Sequence, residues 1–184
     1  MVSGRLKNRN IFVPKGVRPT SSRLRKVIIS SLKDFIPGAK VLDLFAGSGA
    51  LGIETLSSGA FFCDFVDIRR KCVAVLYKNL SFLGISENSR VHLKDSFRFI
   101  KDFARKQVSF DIIFADPPYY HNYASKFLKT LDECDILSPS GVVVLQVFVK
   151  DNIFFEGQKI RVFSQKRRGQ DLLLFFERIK EDRV

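Results

Sequence analysis

Short β-rich apolar runs alternate with amphipathic segments along the chain from Lys40 to about residue 149. The amphipathic segments carry apolar residues at three- and four-residue spacing, which predicts helices between buried strands. The predicted strands cover residues 40–45, 61–66, 90–94, 110–115 and 142–149, and the predicted helices cover residues 50–58, 69–83, 97–105 and 123–131. This alternation predicts a parallel, doubly wound sheet with right-handed crossovers.

The C-terminal part follows a different pattern, because two apolar runs lie close together with no helical segment between them. Residues 159–164 and 171–177 flank the turn-forming sequence Arg167-Arg168-Gly169. This spacing predicts a β-hairpin that adds an antiparallel edge, for about seven strands in all. The expected fold class is α/β: a doubly wound, mostly parallel, seven-stranded Rossmann-like sheet with a C-terminal antiparallel hairpin and a small basic N-terminal extension.

The first 38 residues do not fit the alternation of strands and helices. Residues 3–14 are basic and are typical of a β-ribbon or an arm, and residues 22–35 show the spacing of an amphipathic helix, which Pro37-Gly38 ends. We therefore divide the chain into a basic N-terminal arm and helix, residues 1–38, and a sheet domain, residues 39–184.

Positive charge is concentrated at two places in the chain. Lys and Arg number 31 against 19 Asp and Glu, for a net charge of +12. Residues 1–40 hold ten basic residues and one acid, and residues 159–168 hold five basic residues and no acid. Such clusters are typical of proteins that bind a phosphate backbone. A solvated basic tail that only keeps the protein soluble is the alternative.

Composition excludes several classes of protein. A chain of 184 residues can bury a core without disulfides or structural metals. Three cysteines without a C-x-x-C pair and only two histidines indicate reduced thiols and no metal site. No apolar run approaches the ~20 residues that span a bilayer, and the N-terminus does not resemble a signal peptide. We expect a cytoplasmic protein that does not bind a membrane.

A glycine-rich loop, Asp43-Leu-Phe-Ala-Gly-Ser-Gly-Ala-Leu-Gly52, connects the first predicted strand to the next helix. In a doubly wound sheet, ligands bind at this carboxyl end of the strands, where helix N–H groups also point. The letters spell G-x-G-x-x-G, which a dinucleotide site also uses. Asp43, however, would repel a pyrophosphate and suits the amino-acid end of S-adenosylmethionine. A site for NAD and a glycine turn without a ligand are the alternatives.

The acidic residues that end the next two strands complete this predicted cofactor site. Asp67 can accept both hydroxyls of a ribose, and Asp95 can reach the exocyclic amine of adenine. The residues expected to bind S-adenosylmethionine are Asp43, Phe45, Gly47, Ser48, Gly49, Asp67, Asp95 and Ser96.

The most specific motif is Asp116-Pro-Pro-Tyr119, which directly follows the fourth predicted strand. Pro117 and Pro118 stiffen the turn and leave carbonyl oxygens exposed. The Asp116 carboxylate and the Pro117 carbonyl can accept both hydrogens of a planar amine, and Tyr119 can stack on an aromatic ring. The carboxylate would stabilise positive charge as the nitrogen is methylated. We expect these four residues to be catalytic; a rigid loop without chemistry is the alternative.

Four segments together resemble the bacterial 16S ribosomal RNA guanine-N2 methyltransferase family. They are Val2-Ser-Gly-Arg-Leu-Lys-Asn-Arg-Asn10, Val17-Arg-Pro-Thr20, the glycine loop extended to Glu54, and Asp116-Pro-Pro-Tyr119. The resemblance implies methyl transfer from S-adenosylmethionine to the N2 amine of a guanine in small-subunit ribosomal RNA. It further implies that Arg18 and Thr20 hold the RNA or shape the pocket. With the basic residues around them, the expected RNA-binding set is Arg5, Lys7, Arg9, Arg18, Thr20 and Arg23.

Three positions depart from the pattern usual in that family. Ser58 replaces an arginine, Asp67 replaces a glutamate, and Asn8 replaces a glycine. Three other functions remain open. One is a DNA methyltransferase acting on adenine N6 or cytosine N4, because the catalytic tetrapeptide does not distinguish between bases. The others are a catalytically silent RNA-binding assembly factor and a redox enzyme that uses NAD. The expected partner is ribosomal RNA or the assembling small subunit, and the protein is expected to be a monomer.

Overall fold

The computed structural model describes residues 1, 3–17, 20–118, 122–151, 153 and 155–179 of the chain. The helices in these residues are α1 (Ser22–Ser31), α2 (Ala50–Ser57), α3 (Arg70–Leu83), α4 (Ser96–Arg105) and α5 (Tyr123–Glu133), with a short 3₁₀ turn at Ser86–Asn88. The strands are β1 (Lys40–Leu44), β2 (Phe62–Asp67), β3 (Ser89–Leu93), β4 (Phe110–Ala115), β5 (Leu137–Phe148), β6 (Ile160–Arg168) and β7 (Asp171–Arg178).

The strands form one seven-stranded sheet in the order β3-β2-β1-β4-β5-β7-β6. Strands β1 to β5 are parallel, and β7 lies antiparallel between β5 and β6. The predicted fold class, including the C-terminal hairpin, is therefore confirmed. The carboxyl ends of the parallel strands meet at one edge of the sheet, where ligands bind in open α/β folds.

The sheet separates two layers of buried apolar side chains. Because neighbouring residues of a strand point to opposite faces, Val41 and Leu42 of β1 belong to different layers. One layer packs against α1, α2 and α3 through residues such as Leu24, and the other packs against α4 and α5 through residues such as Phe127. Helix α1 is thus part of the main core, although its sequence stood apart from the alternating pattern.

The N-terminal arm, residues 3–14, consists of turns and extended backbone and contains no strand. The β-ribbon alternative is therefore wrong, and the assignment of these residues to an RNA-binding arm stays a prediction. The N–H of Arg5 donates to the carbonyl of Ser57 at 2.8 Å, and the Ser57 hydroxyl donates to the carbonyl of Ser3 at 2.7 Å. The last turn of a helix leaves carbonyl groups without helical partners, and the arm satisfies one of them instead of pairing as a strand.

Several element boundaries differ from those that the sequence pattern predicts. Helix α1 ends at Ser31, because the N–H of Leu32 bonds to the carbonyls of both Ile28 and Ile29 and the chain continues as turns. Strand β5 begins early, at Leu137, through pairing with β4 and a register shift that follows. Strand β6 extends to Arg168 because its backbone keeps pairing with β7 beyond the apolar residues. Within the described ranges, every helix is too short or too polar to cross a lipid bilayer.

Candidate active site

A cleft of about 360 Å³ opens at the carboxyl edge of the sheet. The loops after β1, β2, β3 and β4 form its walls together with the start of α1. Its lining residues are Gly16, Val17, Thr20, Ser21, Leu24, Phe45, Gly47, Ser48, Asp67, Ile68, Arg69, Asp95, Ser96, Asp116, Pro117, Pro118, Tyr123, Gln146 and Asp171. The cleft thus brings together most of the residues that the sequence predicts for the cofactor and for the target amine.

The glycine loop after β1 forms one wall and uses its glycines in two ways. Gly47 and Gly49 have φ angles of +58° and +78°, in the region that L-residues with side chains rarely adopt. Gly47 and Ser48 line the cleft, whereas Gly49 faces the core. A Cβ atom on Gly49 would lie 2.4 Å from Leu76, and one on Gly52 would lie 2.4 Å from Phe65. These two glycines therefore allow α2 to pack closely against β2 and α3.

Asp43 lies behind this loop. Its carboxylate accepts the N–H of Gly52 at 3.0 Å and is almost fully buried, and it does not line the cleft. Burial, opposed by the Gly52 N–H and assisted by the charges of Asp116 and Asp67, raises the pKa of Asp43 to about 8. The side chain fastens the first turn of α2 to β1, and its predicted contact with the cofactor stays a prediction.

Asp67 ends β2 and faces the cleft. Its carboxylate accepts the N–H of Gly47 at 2.9 Å and the N–H of Arg69 at 2.8 Å, and it forms an ion pair with the Arg69 guanidinium at 2.9 Å. Burial alone would raise the pKa of Asp67, but the hydrogen bonds from Arg69 and Gly47 outweigh it, and the pKa lies below its usual value. The carboxylate is therefore ionised at neutral pH.

The side chains around Asp67 fit the nucleoside part of S-adenosylmethionine. The Arg69 side chain is 43% exposed and can swing into solvent, which frees carboxylate oxygens for two ribose hydroxyls. Ile68, which is 64% exposed, adds an apolar wall beside the carboxylate. Asp95 caps α4 by accepting the N–H of Arg98 at 2.9 Å, and Ser96 follows it in the first turn. An anionic acceptor, an apolar wall and a capped helix start thus lie along one side of the cleft.

Asp116 lies in the cleft at the end of β4. Its carboxylate accepts a long hydrogen bond, 3.5 Å, from the hydroxyl of Thr20, and Pro117 and Pro118 line the cleft beside it. Two predicted residues, Tyr119 and Arg18, lie outside the described residues. The arrangement places a carboxylate and a stiff proline turn next to the start of α1, and the predicted binding of a planar amine there stays a prediction.

The position of Thr20 depends on a buried ion pair that the sequence pattern did not indicate. The Arg25 guanidinium on α1 bonds to Glu54 on α2 at 3.2 Å and also donates to the carbonyl of Thr20. Glu54 is fully buried and accepts a hydrogen bond from the Ser3 hydroxyl as well. Because one carboxylate binds the arm and α1, it fixes the start of α1 against the cleft.

Tyr123, Gln146 and Asp171 are three of the cleft residues that were not among the predicted site residues. Tyr123 begins α5, and its ring stacks on Phe97 and meets Phe45 edge-on, with centroids 5.9 and 6.4 Å apart. Gln146 interrupts the apolar run of β5, and its amide donates to Asp171 at 3.3 Å. A polar residue in a buried strand and an acid at the start of the last strand were the available signals. Neither signal shows that the two residues share a cleft.

The basic residues expected to bind RNA lie at different distances from the cleft. Arg5, Lys7 and Arg9 are exposed on the arm, and the Arg9 guanidinium lies 5.4 Å from the centre of the Phe82 ring. Arg5 bonds to the last residue of α2, at the edge of the sheet opposite the cleft. Arg23 is exposed on the first turn of α1 and is therefore closer to the cleft than the residues of the arm are.

The strand order, the glycine loop at the carboxyl edge and the Asp-Pro-Pro turn after β4 together define a methyltransferase. The chain matches the family model described as Conserved hypothetical protein 95 over residues 1–177, and it belongs to that family. The predicted family and the predicted methyltransferase activity are confirmed by this match together with the named relatives.

Two relatives illustrate the similarity in sequence. Ribosomal RNA small subunit methyltransferase D of Haemophilus influenzae is 31% identical over 156 residues, which cover 84% of this chain and 80% of that protein. The protein of the same name in Escherichia coli strain K12 is 28% identical over 180 residues, which cover 97% of this chain and 89% of the other. In three dimensions, the solved structure of yhhF from Escherichia coli aligns with a TM-score of 0.86 at 29% identity, covering 97% of this chain and 96% of that one.

Proposed function

We propose that the protein transfers a methyl group from S-adenosylmethionine to the exocyclic N2 amine of a guanine in small-subunit ribosomal RNA. The observation that carries this proposal is the position of Asp116 in the same cleft as Asp67 and the glycine loop. One wall can hold a nucleoside and the other can accept an amine. The names of the two relatives above support ribosomal RNA of the small subunit as the substrate.

The cofactor half consists of Asp67, Asp95 and the loop residues Phe45, Gly47 and Ser48. S-adenosylmethionine supplies an electrophilic methyl group when it is bound there. Asp67 would accept the ribose hydroxyls once Arg69 moves away, and Asp95 and Ser96, on the same side of the cleft, would hold the adenine. Phe45 has a φ of +57°, and its ring meets the rings of Phe97 and Tyr123 edge-on.

In the amine half, the Asp116 carboxylate and the Pro117 carbonyl accept hydrogen bonds from the two N–H groups of the guanine amine. They hold its nitrogen as positive charge develops, so the barrier is lowered by preorganised electrostatics and by positioning. A base in a folded RNA must leave its stack to reach this site, and Tyr119 would stack on it there. Thr20 fixes the carboxylate from the side of α1.

The electrostatics of the cleft favour a base inside it and phosphates outside it. Asp67, Asp95, Asp116 and Asp171 all line the cleft, and this concentration of acid repels a phosphate group. Basic residues lie on the surface around it, where a phosphate backbone can run. We propose ribosomal RNA or the assembling small subunit as partner, a monomeric enzyme, and the cytoplasm as its location.

The decisive experiment incubates the purified protein with methyl-labelled S-adenosylmethionine and three acceptors: unmodified small-subunit ribosomal RNA, small ribosomal subunits and duplex DNA. We expect label in RNA, either free or within the subunit, and recovery of N2-methylguanosine after digestion to nucleosides. Label in adenine or cytosine of duplex DNA would instead support the DNA methyltransferase alternative. Binding of RNA without any transfer of label would support the assembly factor.

A further inference from the structure

The turn of the C-terminal hairpin lies at the edge of the sheet that carries the cleft. Arg168 ends β6 and pairs across the hairpin with Asp171, the first residue of β7. Asp171 in turn pairs with Phe148 at the carboxyl end of β5, and its side chain lines the cleft. Residues directly opposite each other on antiparallel strands are about 4.5–5.5 Å apart between Cα atoms, so the backbone of Arg168 lies directly beside the cleft.

The cations of this turn are available to a ligand. Arg167 and Arg168 are exposed, and their guanidinium groups donate to backbone carbonyls of the turn itself, those of Gly169 and Arg167. Among the described residues, no carboxylate lies within ion-pair distance of either of them. Arg161, lower on the same strand, is instead paired with Glu177 at 2.9 Å. Arg161, far from the cleft, is therefore neutralised by a carboxylate of the hairpin. Arg167 and Arg168, next to the cleft, have no such partner among the described residues.

A basic residue of the hairpin also contacts α1. The ammonium of Lys166 donates to the hydroxyl of Ser31 at 2.7 Å and lies 5.7 Å from the centre of the Phe175 ring. On the outer face of α1, Arg23 and Lys26 are one helical turn apart and exposed. The contact of Lys166 with Ser31 thus brings the basic hairpin against the helix that carries Arg23 and Lys26.

We infer that Arg167 and Arg168 bind RNA phosphates beside the target nucleotide, on the same backbone that Arg23 and Lys26 contact on α1. This inference rests on the proposed function, because it takes the RNA as substrate and assigns its position. Acidic side chains inside the cleft keep phosphates out, while the guanidinium groups at its rim attract them, so the chain of the RNA is held at the mouth as one base enters. Guanidinium groups suit this role because their fork-like donors match phosphate oxygens.

The test compares Arg167→Gln/Arg168→Gln with Lys101→Gln/Lys129→Gln. The control pair removes the same charge from exposed positions on α4 and α5, which cover the opposite face of the sheet. Affinity for in vitro-transcribed small-subunit ribosomal RNA is measured by filter binding from low to high salt. Methylation of the same RNA gives kcat and KM, and calorimetric titration with S-adenosylhomocysteine checks the cofactor half.

We expect the arginine pair to raise KM and the RNA dissociation constant, with kcat at saturating RNA and S-adenosylhomocysteine affinity unchanged. Two lost phosphate contacts should make the slope of log K against log salt shallower by about 1.4–1.8, since each contact contributes about 0.7–0.9. The control pair should stay near the wild-type slope. Equal slopes and equal KM values for the two pairs would overturn the inference. Failure of the wild-type protein to methylate any RNA would overturn the proposed function instead, and the two results are distinguishable.

Discussion

The two halves of the cleft are held in place by different kinds of interaction. In the cofactor half, Asp67 accepts a backbone hydrogen bond from Gly47 at 2.9 Å, and behind it Asp43 accepts one from Gly52 at 3.0 Å. In the amine half, the hydroxyl of Thr20, a residue from a distant part of the chain, donates a long hydrogen bond to Asp116. The cofactor half is therefore held by contacts among the strand ends and the loop beside them, whereas the amine half includes a contact from the segment that leads into α1.

The largest effect is expected from Asp116→Ala, which removes the acceptor of the amine half. Its carboxylate matters most as the nitrogen becomes cationic, so the loss should appear in kcat, by roughly 10²–10³. Single-turnover methylation of small-subunit ribosomal RNA measures it, and titration with S-adenosylhomocysteine is the control, because the cofactor half should be intact. A folded variant with near-normal single-turnover rate would show that another group accepts the amine.

A smaller effect is expected from Asp67→Ala in the cofactor half. The variant loses an ionised acceptor for the ribose hydroxyls, at about 1–3 kcal/mol in the free energy of cofactor binding. Calorimetric titration with S-adenosylhomocysteine measures the change. Asp67→Asn is the matched control, since its amide oxygen can still accept the N–H of Gly47, and it should fall between Asp67→Ala and the wild type. Unchanged affinity in both variants would remove Asp67 from the site.

Asp43→Asn tests the buried carboxyl behind the glycine loop through the pH dependence of stability. Because burial raises the pKa of Asp43 to about 8, the folded protein holds one more proton than the unfolded chain between about pH 4 and pH 8. The free energy of unfolding contributed by this group therefore falls as pH rises through that range. Asparagine removes the contribution and can keep the hydrogen bond from Gly52.

From pH 6 to pH 7 the wild type should lose about 1.4 kcal/mol of unfolding free energy relative to Asp43→Asn. Urea unfolding of both proteins at the two pH values measures the difference. Parallel pH profiles for the two proteins would mean that Asp43 is already ionised in the folded state at pH 6.

The smallest effect is expected from Arg69→Ala. Its guanidinium competes with the ribose for Asp67, but the side chain is 43% exposed, and an ion pair so close to solvent contributes only about 0.2–1 kcal/mol. Removing it should tighten binding of S-adenosylhomocysteine a few-fold, in the direction opposite to that of Asp67→Ala. Weaker binding would show that Arg69 itself contacts the cofactor.

The local motifs of both halves could be predicted from the sequence, whereas the contacts between distant segments could not. Gly47, Asp67 and Asp116 each follow a strand whose apolar pattern is clear, so their meeting at the carboxyl edge follows from the parallel sheet. The ion pair of Arg25 with Glu54 and the pairing of Gln146 with Asp171 depend on how α1 and β7 pack. A pattern of apolar residues determines which face of an element is buried, but not which polar side chains of two elements meet.

The conformation of the N-terminal arm also depends on contacts between distant segments, which the sequence pattern does not predict. Its positive charge and lack of alternation were visible in the sequence, but both a ribbon and an arm agree with them. The bonds of the arm to Ser57 and Glu54 decide between the two, and they join residues more than fifty positions apart. The role of residues 1–38 in binding RNA stays a prediction.

The third glycine of the loop changes how variants of this chain should be chosen. Gly52 lies inside α2, where replacement of glycine by alanine ordinarily stabilises a protein by about 0.4–1 kcal/mol. Here the new methyl group would lie 2.4 Å from Phe65 and 2.6 Å from the Cys63 sulfur, two fully buried side chains. A library that replaces helical glycines on propensity alone would push α2 away from the sheet. The loop in front of it would move as well, so the packing of Phe65 and Cys63 behind the cofactor wall sets an upper limit on side-chain size at residue 52.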